Sequence, residues 1–335
     1  MSRYAYITNT DSNTISVVDL QTTEEVKQVE IGDSPRGAMA IDKKRGLGYV
    51  SNCAGDTVSV IDLNSDKEYG RIRVGLAPRG VEISADSNYL FVTNSGSASV
   101  SIVDLSIKKE VKNIEVGRNP RQLSISPNSE YIYVPNFGSD SISIIKIDYT
   151  NIDNTKVITE IPLVSDAKPY HVYPNEDGTL LFTANTFNHS VSVIDVAREE
   201  VIRTISVGYN PRAVITEPTG KYLFVSAEAS NAVSVVDRKI WQEIERIPVG
   251  PTPRGLIVDE VNNYVLVTAF DRTKIAYLAG QDRISIISID TLKRIGNLPS
   301  GLGACSINIV DTKEIEKTII DKSKRDISPI NRKMA

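Results

Sequence analysis

The sequence is poor in the features that mark several protein classes. It has two cysteines in 335 residues, too few for a disulfide framework, and no Cys-x-x-Cys or Glu-x-x-His spacing for a zinc site. No run approaches the roughly 20 apolar residues of a transmembrane helix. The first residues lack the apolar segment and cleavage site of a signal peptide. These absences predict a cytoplasmic protein, although an extracytoplasmic chain trimmed of its leader would look the same.

Charge of one sign is not in large excess either. With 38 basic and 42 acidic side chains the formal net charge is −4, so nothing attracts the whole molecule to nucleic acid or to an anionic membrane. Phosphate-cradling loops, nucleophile elbows and dinucleotide fingerprints are missing as well. Helical spacing of apolar residues is absent before the C-terminal tail. Any anion site must therefore be local, and the fold must be built mainly from β-strands.

What the sequence does have is a repeat. The string Val-Gly-Leu-Ala-Pro-Arg-Gly at residues 74–80 returns in altered form, and its proline falls at positions 35, 78, 120, 211 and 253. A second landmark, an aromatic and apolar strand pattern, ends in Asn at positions 9, 52, 94, 136 and 185. Its two divergent copies end in Ala227 and Ala269. Seven units of about 42 residues with four strand patterns each predict an all-β, seven-bladed β-propeller.

The two ends of the chain predict how the ring closes. The chain starts with the second strand of a blade, and the missing innermost strand is found at about residues 304–310. We therefore expect one propeller domain over residues 1–311, with its first blade built from both termini so that no sheet edge is left open. Residues 312–335 form a tail with the pattern of a short amphipathic helix. Residues 148–155 and 270–282 lengthen connections in the fourth and seventh blades.

These repeats resemble the YVTN family of seven-bladed β-propellers, whose Tyr-Val-Thr-Asn strand is nearly spelled by residues 91–94. The architecture is also similar to that of the propeller-type lactonases, which share the blade number and the approximate length. The resemblance covers roughly residues 3–311 and implies the propeller fold. It implies no single function, because YVTN proteins include cell-surface proteins, a nucleic-acid binder and many proteins without an assigned role.

Propeller topology predicts a candidate ligand site. The loops that enter the innermost strands open on one face beside the central channel, with Tyr170 and Cys305 at the position that holds arginine in the other five blades. Those arginines are Arg36, Arg79, Arg121, Arg212 and Arg254. Converging guanidinium groups would bind a carboxylate or a phosphate. The alternative is a structural role, with the arginines paired to Glu82, Glu217 or Asp259.

Other residues of the motifs have simpler expected roles. The Gly that opens the motif and the Pro before the arginine are expected to shape the turn into the innermost strand. The strand-ending Asn is expected to hydrogen-bond loop backbone.

Four residues are candidates for acid–base chemistry on the same face. His171 begins an innermost strand and His189 lies in a loop of the same blade, and histidine titrates near neutral pH. Glu228 and Asp271 follow the two divergent Ala-ending strands, beside Arg212 and Arg254. Each carboxylate could also be only half of a solvated ion pair. Two histidines do not complete a metal site, so the sequence indicates no metal and names no cofactor.

Three functions remain compatible with the sequence. The first is a binding or scaffold propeller that presents its arginines to an anionic small molecule, a peptide or a partner protein. The second is a hydrolase of the lactonase or esterase type that uses the histidines or carboxylates just named. The third, the weakest, is binding of single-stranded nucleic acid, because the ring lacks the basic runs interleaved with aromatics that such binding favours.

Overall fold

A computed structural model describes residues 2–271, 284–312 and 315 of the chain. Within them the chain forms 28 β-strands and two short 3-10 helices. The strands are β1 (Arg3–Asn9), β2 (Thr14–Asp19), β3 (Glu25–Glu30), β4 (Pro35–Asp42), β5 (Leu47–Asn52), β6 (Thr57–Asp62), β7 (Lys67–Arg73), β8 (Pro78–Ile83), β9 (Tyr89–Asn94), β10 (Ser99–Asp104), β11 (Lys109–Glu115), β12 (Ser124–Ile125), β13 (Tyr131–Asn136), β14 (Ser141–Lys146), β15 (Lys156–Pro162), β16 (Pro169–Pro174), β17 (Leu180–Asn185), β18 (Ser190–Asp195), β19 (Glu200–Ser206), β20 (Pro211–Thr216), β21 (Tyr222–Ala227), β22 (Ala232–Asp237), β23 (Gln242–Pro248), β24 (Pro253–Asp259), β25 (Tyr264–Ala269), β26 (Ile284–Ser288), β27 (Lys293–Leu298) and β28 (Ala304–Asp311).

These strands make seven antiparallel sheets of four strands each, which confirms the predicted seven-bladed propeller. The first blade has the strand order β28-β1-β2-β3, with Tyr4 opposite Val310 and Ile7 opposite Ile307. The prediction that the two ends of the chain share one blade is therefore confirmed. The innermost strand of this blade comes from the far end of the chain. The β1–β28 hydrogen bonds therefore hold the two ends of the chain together and close the ring.

The core lies between neighbouring blades. The second strand of each blade is almost wholly buried; in β9, Leu90, Phe91 and Val92 have no exposed surface. The outermost strand, such as β11, is mostly exposed and carries the charged side chains. Both faces of each inner sheet are covered by other blades, so the second strands are continuous apolar runs rather than alternating ones.

The strand-ending asparagine has a different role from the one predicted. Asn52 donates from Nδ2 to the hydroxyls of Thr57 and Ser59 in its own blade, not to loop backbone. The same pair of bonds, to residues five and seven positions later, recurs at Asn9, Asn94, Asn136 and Asn185. In the second blade the Ser59 hydroxyl also accepts the N–H of Gly32. The asparagine thus links the second and third strands of its blade.

The glycine that opens the motif serves this asparagine rather than the turn. A Cβ on Gly117 would lie 2.5 Å from Cγ of Asn136, so no larger residue fits there. The left-handed backbone conformation falls instead on the residue before the proline, where φ is between 49° and 56°. These residues are Ser34, Ala77, Asn119, Asn210 and Thr252. The prediction that this glycine makes the turn is therefore wrong, and its reason is packing.

Gly117→Ala is expected to lower the free energy of unfolding by about 1–3 kcal/mol, because the added methyl forces Asn136 out of its bonds. Urea unfolding measures the change. Gly55→Ala is the control, since its Cβ would meet nothing closer than 3.5 Å. Equal stability of the two variants would contradict this role for the asparagine.

The structure describes only part of the segments that depart from the repeat. Residues 148–155 lengthen the connection between β14 and β15 in the fourth blade as predicted, and they include a 3-10 helix at Ile152–Asn154. Most of the predicted seventh-blade insertion and nearly all of the predicted tail lie outside the described residues. In the part of the chain that is described, no helix is long and apolar enough to cross a lipid bilayer.

Candidate active site in the central channel

The propeller axis holds a cavity of about 460 Å³. All seven residues at the motif position line it, as the topology predicts: Arg36, Arg79, Arg121, Tyr170, Arg212, Arg254 and Cys305. We call these seven residues the funnel layer. The structure therefore brings together every residue that the sequence proposed for ligand binding.

A row of hydroxyls positions the funnel layer. In five blades the residue before the end of the second strand is Ser or Thr, and its hydroxyl donates to a carbonyl in the innermost strand of the next blade. Thr93, for example, donates to the carbonyl oxygen of Arg121 at 2.7 Å. The other four are Thr8, Ser51, Ser226 and Thr268. Five of the seven blades are thus tied to the next blade at the level of the funnel layer. The sequence analysis did not predict these hydrogen bonds. Their signal in the sequence is the Ser or Thr that precedes the last residue of five second strands.

Two blades lack the hydroxyl, and there the links are made differently. Pro135 and Ala184 occupy the position in the fourth and fifth blades. Between these blades the N–H of Gln122 donates to the carbonyl of Tyr170. Between the fifth and sixth blades the N–H of Val214 donates to Nδ1 of His171 at 3.3 Å. The exceptions in the repeat therefore place Tyr170 and His171 side by side on the channel wall.

Two of the five arginines share one carboxylate. Glu228 accepts from Nε of Arg212 and, at 2.7 Å, from Nη2 of Arg254. The pair forms because Glu228 follows β21 at the place where other blades have Cys53 or Phe137. The sequence analysis placed Glu228 and Asp271 beside Arg212 and Arg254, and in the structure Glu228 contacts both arginines. All three side chains are less than one-fifth exposed, so their charges interact through a medium less polar than water.

Arg36, Arg79 and Arg121 have no carboxylate partner among the described residues. The Nε–H of each is buried and donates to no acceptor in the described chain. Burial, together with the charges of Arg79, Arg212 and Arg36, lowers the pKa of Arg121 to about 10. Three unpaired guanidinium groups in one cavity are an unfavourable arrangement unless an anion binds there.

The three carboxylates expected to neutralise the funnel layer do not pair with its arginines. Asp259 pairs with Arg3 at 2.7 Å, and Glu217 accepts the backbone N–H groups of Thr219 and Lys221. Glu82 lines the same cavity three residues beyond Arg79 and forms no ion pair with it. The structural alternative for the arginines therefore applies to none of these three carboxylates.

Aromatic rings hold the guanidinium groups in place. Arg121 lies over Phe137 at 4.6 Å and over Tyr170 at 5.3 Å, and Arg212 lies 4.7 Å from the centre of the Tyr170 ring. Arg254 stacks on Phe270 at 3.6 Å. A cation over an aromatic face is attracted to it without being neutralised. The arginines are thus fixed in position and keep their charge for a ligand.

The pKa values of Tyr170 and His171 are both shifted, with different consequences for their charge. Burial lowers the pKa of His171 to about 4, so the ring is neutral at pH 7. Because its Nδ1 accepts the N–H of Val214, the proton of the neutral ring is on Nε2. Burial would raise the pKa of Tyr170, but Arg79, Arg254 and Arg121 outweigh it and lower that pKa. His171 is therefore a hydrogen-bond donor toward the channel, and Tyr170 is unusually acidic.

Two of the predicted acid–base residues are not brought into the cavity. His189 accepts the N–H of Asn210 at Nδ1, which is the role of Asn or Asp in four other blades. Those equivalents are Asn13, Asp56, Asp140 and Asn231. The expectation that His189 belongs to the site is wrong, because its ring replaces a loop amide or carboxylate. Asp271 does not line the cavity either; its carbonyl accepts the N–H of Gly303.

The sequence analysis gave residues deeper in the channel no role, except that Glu82 was named as a possible partner of the arginines. Glu82 faces the lumen beyond the funnel layer, and burial raises its pKa to about 7. Tyr173, Ser124 and Asn308 line the same cavity. Within residues 2–271 and 284–312, no three His, Cys, Asp or Glu side chains are grouped to hold a metal ion.

Comparison with known proteins identifies the family. The model of the family described as "Lactonase, 7-bladed beta-propeller" matches residues 1–166 and 166–242, which is more than half of the chain. The chain belongs to the seven-bladed β-propeller lactonase family. The resemblance to propeller-type lactonases noted in the sequence is thereby confirmed. No match was found among curated protein sequences.

Solved structures share the fold of this lactonase-family chain at low sequence identity. A periplasmic gluconolactonase of Pseudomonas aeruginosa has a TM-score of 0.74 and 15% identity, covering 93% of this chain and 99% of its own. A protein of Lactobacillus plantarum has a TM-score of 0.78 and 14% identity, covering 93% and 100%. The hydrazine synthase of Kuenenia stuttgartiensis has a TM-score of 0.69 and 22% identity, covering 84% and 96%. These likenesses show the fold alone, since proteins with different names share it.

Proposed function

We propose that the chain hydrolyses a lactone that carries a second, anionic group. The observation that carries this proposal is one cavity, in a lactonase-family propeller, that contains both unpaired arginines and a neutral histidine with Nε2–H free. The family match favours hydrolysis over a purely scaffolding role, which the sequence alone had placed first.

Arg36, Arg79 and Arg121 bind the anionic group of the substrate. They belong to three consecutive blades and their charges are not neutralised by a described carboxylate. A carboxylate or phosphate between them would satisfy donors that are now buried without partners, and bonds to charged donors contribute about 1.5–3 kcal/mol each. The substrate is thereby oriented with its lactone ring toward the other half of the funnel layer.

Arg212, Arg254 and His171 act on the lactone carbonyl. Glu228 holds the two guanidinium groups rigidly, and they still line the cavity with nitrogens that the pair does not use. Negative charge develops on the carbonyl oxygen as water attacks, and prearranged donors stabilise it. The Nε2–H of His171 supplies a neutral donor beside them. Fixed donors lower the barrier because they need no reorganisation during the reaction.

A matched pair of substrates tests the proposal. Glucono-lactone and its phosphate ester differ only in the anionic group, so we expect the phosphate ester to have a kcat/KM higher by about 10²-fold or more. Hydrolysis is followed in a pH-stat, with the spontaneous rate subtracted. A panel of carboxylate-bearing lactones extends the comparison.

The same measurements separate catalysis from binding alone. Tight, stoichiometric binding of the anionic compounds without any rate above the spontaneous one would replace the hydrolase by an anion-binding propeller. Equal turnover of charged and uncharged lactones would instead contradict the role given to the three unpaired arginines.

A further inference from the structure

We propose that Tyr170 is the general base that activates water in this cavity. The assignment rests on the proposed lactone hydrolysis and adds the residue that the reaction still lacks. Water must lose a proton as it attacks the carbonyl, and a positioned base contributes about 10²- to 10⁴-fold to such a step.

Of the four candidate bases named from the sequence, neither Glu228 nor His171 has a proton-accepting atom that is without a hydrogen bond. Both carboxylate oxygens of Glu228 already accept from Arg212 and Arg254. Nδ1 of His171 accepts from Val214, and Nε2 then carries the proton of the neutral ring. Each of them is therefore a positioning group or a donor in this structure.

The phenol of Tyr170 has the free oxygen that the other two lack. Its backbone is fixed by the bond from Gln122 N–H, and its ring packs edge-on against Phe137 at a centroid distance of 6.3 Å. Arg121 and Arg212 lie over the ring, and the residue lines the cavity at the level of the funnel arginines. No described side chain bonds to its hydroxyl. The oxygen can therefore meet a water molecule next to a bound lactone.

The charges around Tyr170 favour its phenolate. Arg79, Arg121 and Arg254 lower its pKa, against burial and the neighbouring Cys305, which raise it. Arg212 over the ring adds a further cation, and the adjoining His171 is neutral. Among the residues that the structure describes, Glu228 is the carboxylate paired with this layer, and it is held by two arginines. A tyrosine in this setting ionises at lower pH than a free one.

The proposed step balances. The phenolate oxygen takes a proton from water while the water oxygen forms a bond to the carbonyl carbon, and the carbonyl electron pair moves onto its oxygen beside the arginines. When that pair returns, the bond from the carbonyl carbon to the ring oxygen breaks. The leaving alkoxide takes the proton from Tyr170, which restores the phenolate. One lactone and one water give one hydroxy acid.

Glu82 is the competing base, and it predicts a different pH dependence. It also faces the lumen without a described partner, with its pKa raised to about 7 by burial. Glu82 lies three residues after Arg79 on the same strand. This spacing places Glu82 about 10 Å deeper in the channel than Arg79. A Glu82 base would make kcat rise through pH 7 and then level off. A Tyr170 base would make it keep rising into the alkaline range.

The test compares Tyr170→Phe with Tyr173→Phe, using the anionic lactone that the wild type turns over best. Tyr173 lies on the same strand, deeper than the funnel layer, and its pKa is raised by burial and by Glu176. We expect Tyr170→Phe to lower kcat by about 10²-fold or more with little change in KM, and to abolish the alkaline rise. Tyr173→Phe should keep the rise, with kcat within about threefold of the wild type.

A second readout does not depend on activity. Ultraviolet difference absorbance reports tyrosinate, so wild type should show one tyrosine that ionises below the others, and Tyr170→Phe should lose it. Retention of kcat and of the alkaline rise in Tyr170→Phe would overturn the proposal, and a loss of the rise in Glu82→Gln alone would transfer the role to Glu82. If wild type hydrolyses no lactone, the proposed function itself fails, which the wild-type assay shows before any variant is compared.

Discussion

Glu228→Ala is expected to destabilise the protein by about 3 kcal/mol, because it removes the single carboxylate shared by two nearly buried arginines. Breaking a pair in this way leaves the partner charge buried and uncompensated. Glu228→Ala leaves two such buried charges, on Arg212 and Arg254. All five guanidinium groups of the funnel layer would then repel one another. Urea unfolding at pH 7 and low ionic strength measures the loss.

The matched control is Glu176→Ala. Glu176 also pairs with an arginine, Arg238 at 3.2 Å, but its side chain is 42% exposed. Exposed pairs contribute about 0–1 kcal/mol, so this variant should be close to wild type. Added sulfate should restore part of the stability of Glu228→Ala, since an anion can take the place of the lost carboxylate. Equal losses in the two variants would contradict the central position of Glu228.

Glu228→Ala also tests the reaction that we propose. If Arg212 and Arg254 stabilise the developing oxyanion, they must stay where Glu228 holds them. We expect kcat to fall by about 10²-fold, the usual cost of one misplaced oxyanion donor. Sulfate should not restore it, because a free anion would compete with the substrate for the same arginines. Stability and activity therefore respond to sulfate in opposite ways.

The repeat made the fold and the funnel layer predictable. A period of about 42 residues fixes the blade number, and the surplus strand at residues 304–310 fixes ring closure, because both follow from counting. The same register places the residue after each motif proline on one face. Even the contact of Glu228 with Arg212 and Arg254 follows from its position after β21. Whatever the repeat dictates could be read from the sequence.

Contacts between blades could not be predicted in the same way. The sequence does not say that Thr93 reaches the carbonyl of Arg121 in the next blade, or that His171 replaces such a hydroxyl toward Val214. For this reason His171 could be taken for a base. His189 was assigned to the site for a related reason, since a histidine in a loop gives no sign that it substitutes for the Asn or Asp of other blades. The chemistry of a side chain was visible, and its partner was not.

Arg79→Ala and Arg121→Ala are each expected to weaken anion binding while leaving the fold intact. Each removes a guanidinium whose Nε is buried without a partner, so the lost contacts are offset by relief of repulsion within the funnel layer. The melting temperature should stay within about 3 °C of wild type, the equivalent of about 1 kcal/mol. Binding of phosphate or of an anionic lactone should weaken by about 10-fold or more per arginine.

Arg118→Ala is the control, because Arg118 belongs to the same loop as Arg121 but is exposed and lies outside the cavity. It should bind the anion as wild type does. Calorimetric titration with inorganic phosphate and with the lactone, combined with thermal unfolding in the presence and absence of phosphate, gives both quantities. A fall of many degrees in Arg79→Ala without any loss of binding would show that the arginine holds blades together. Loss of binding at an unchanged melting temperature is expected instead, because Arg79 and Arg121 lack the carboxylate partner that Arg212 and Arg254 share.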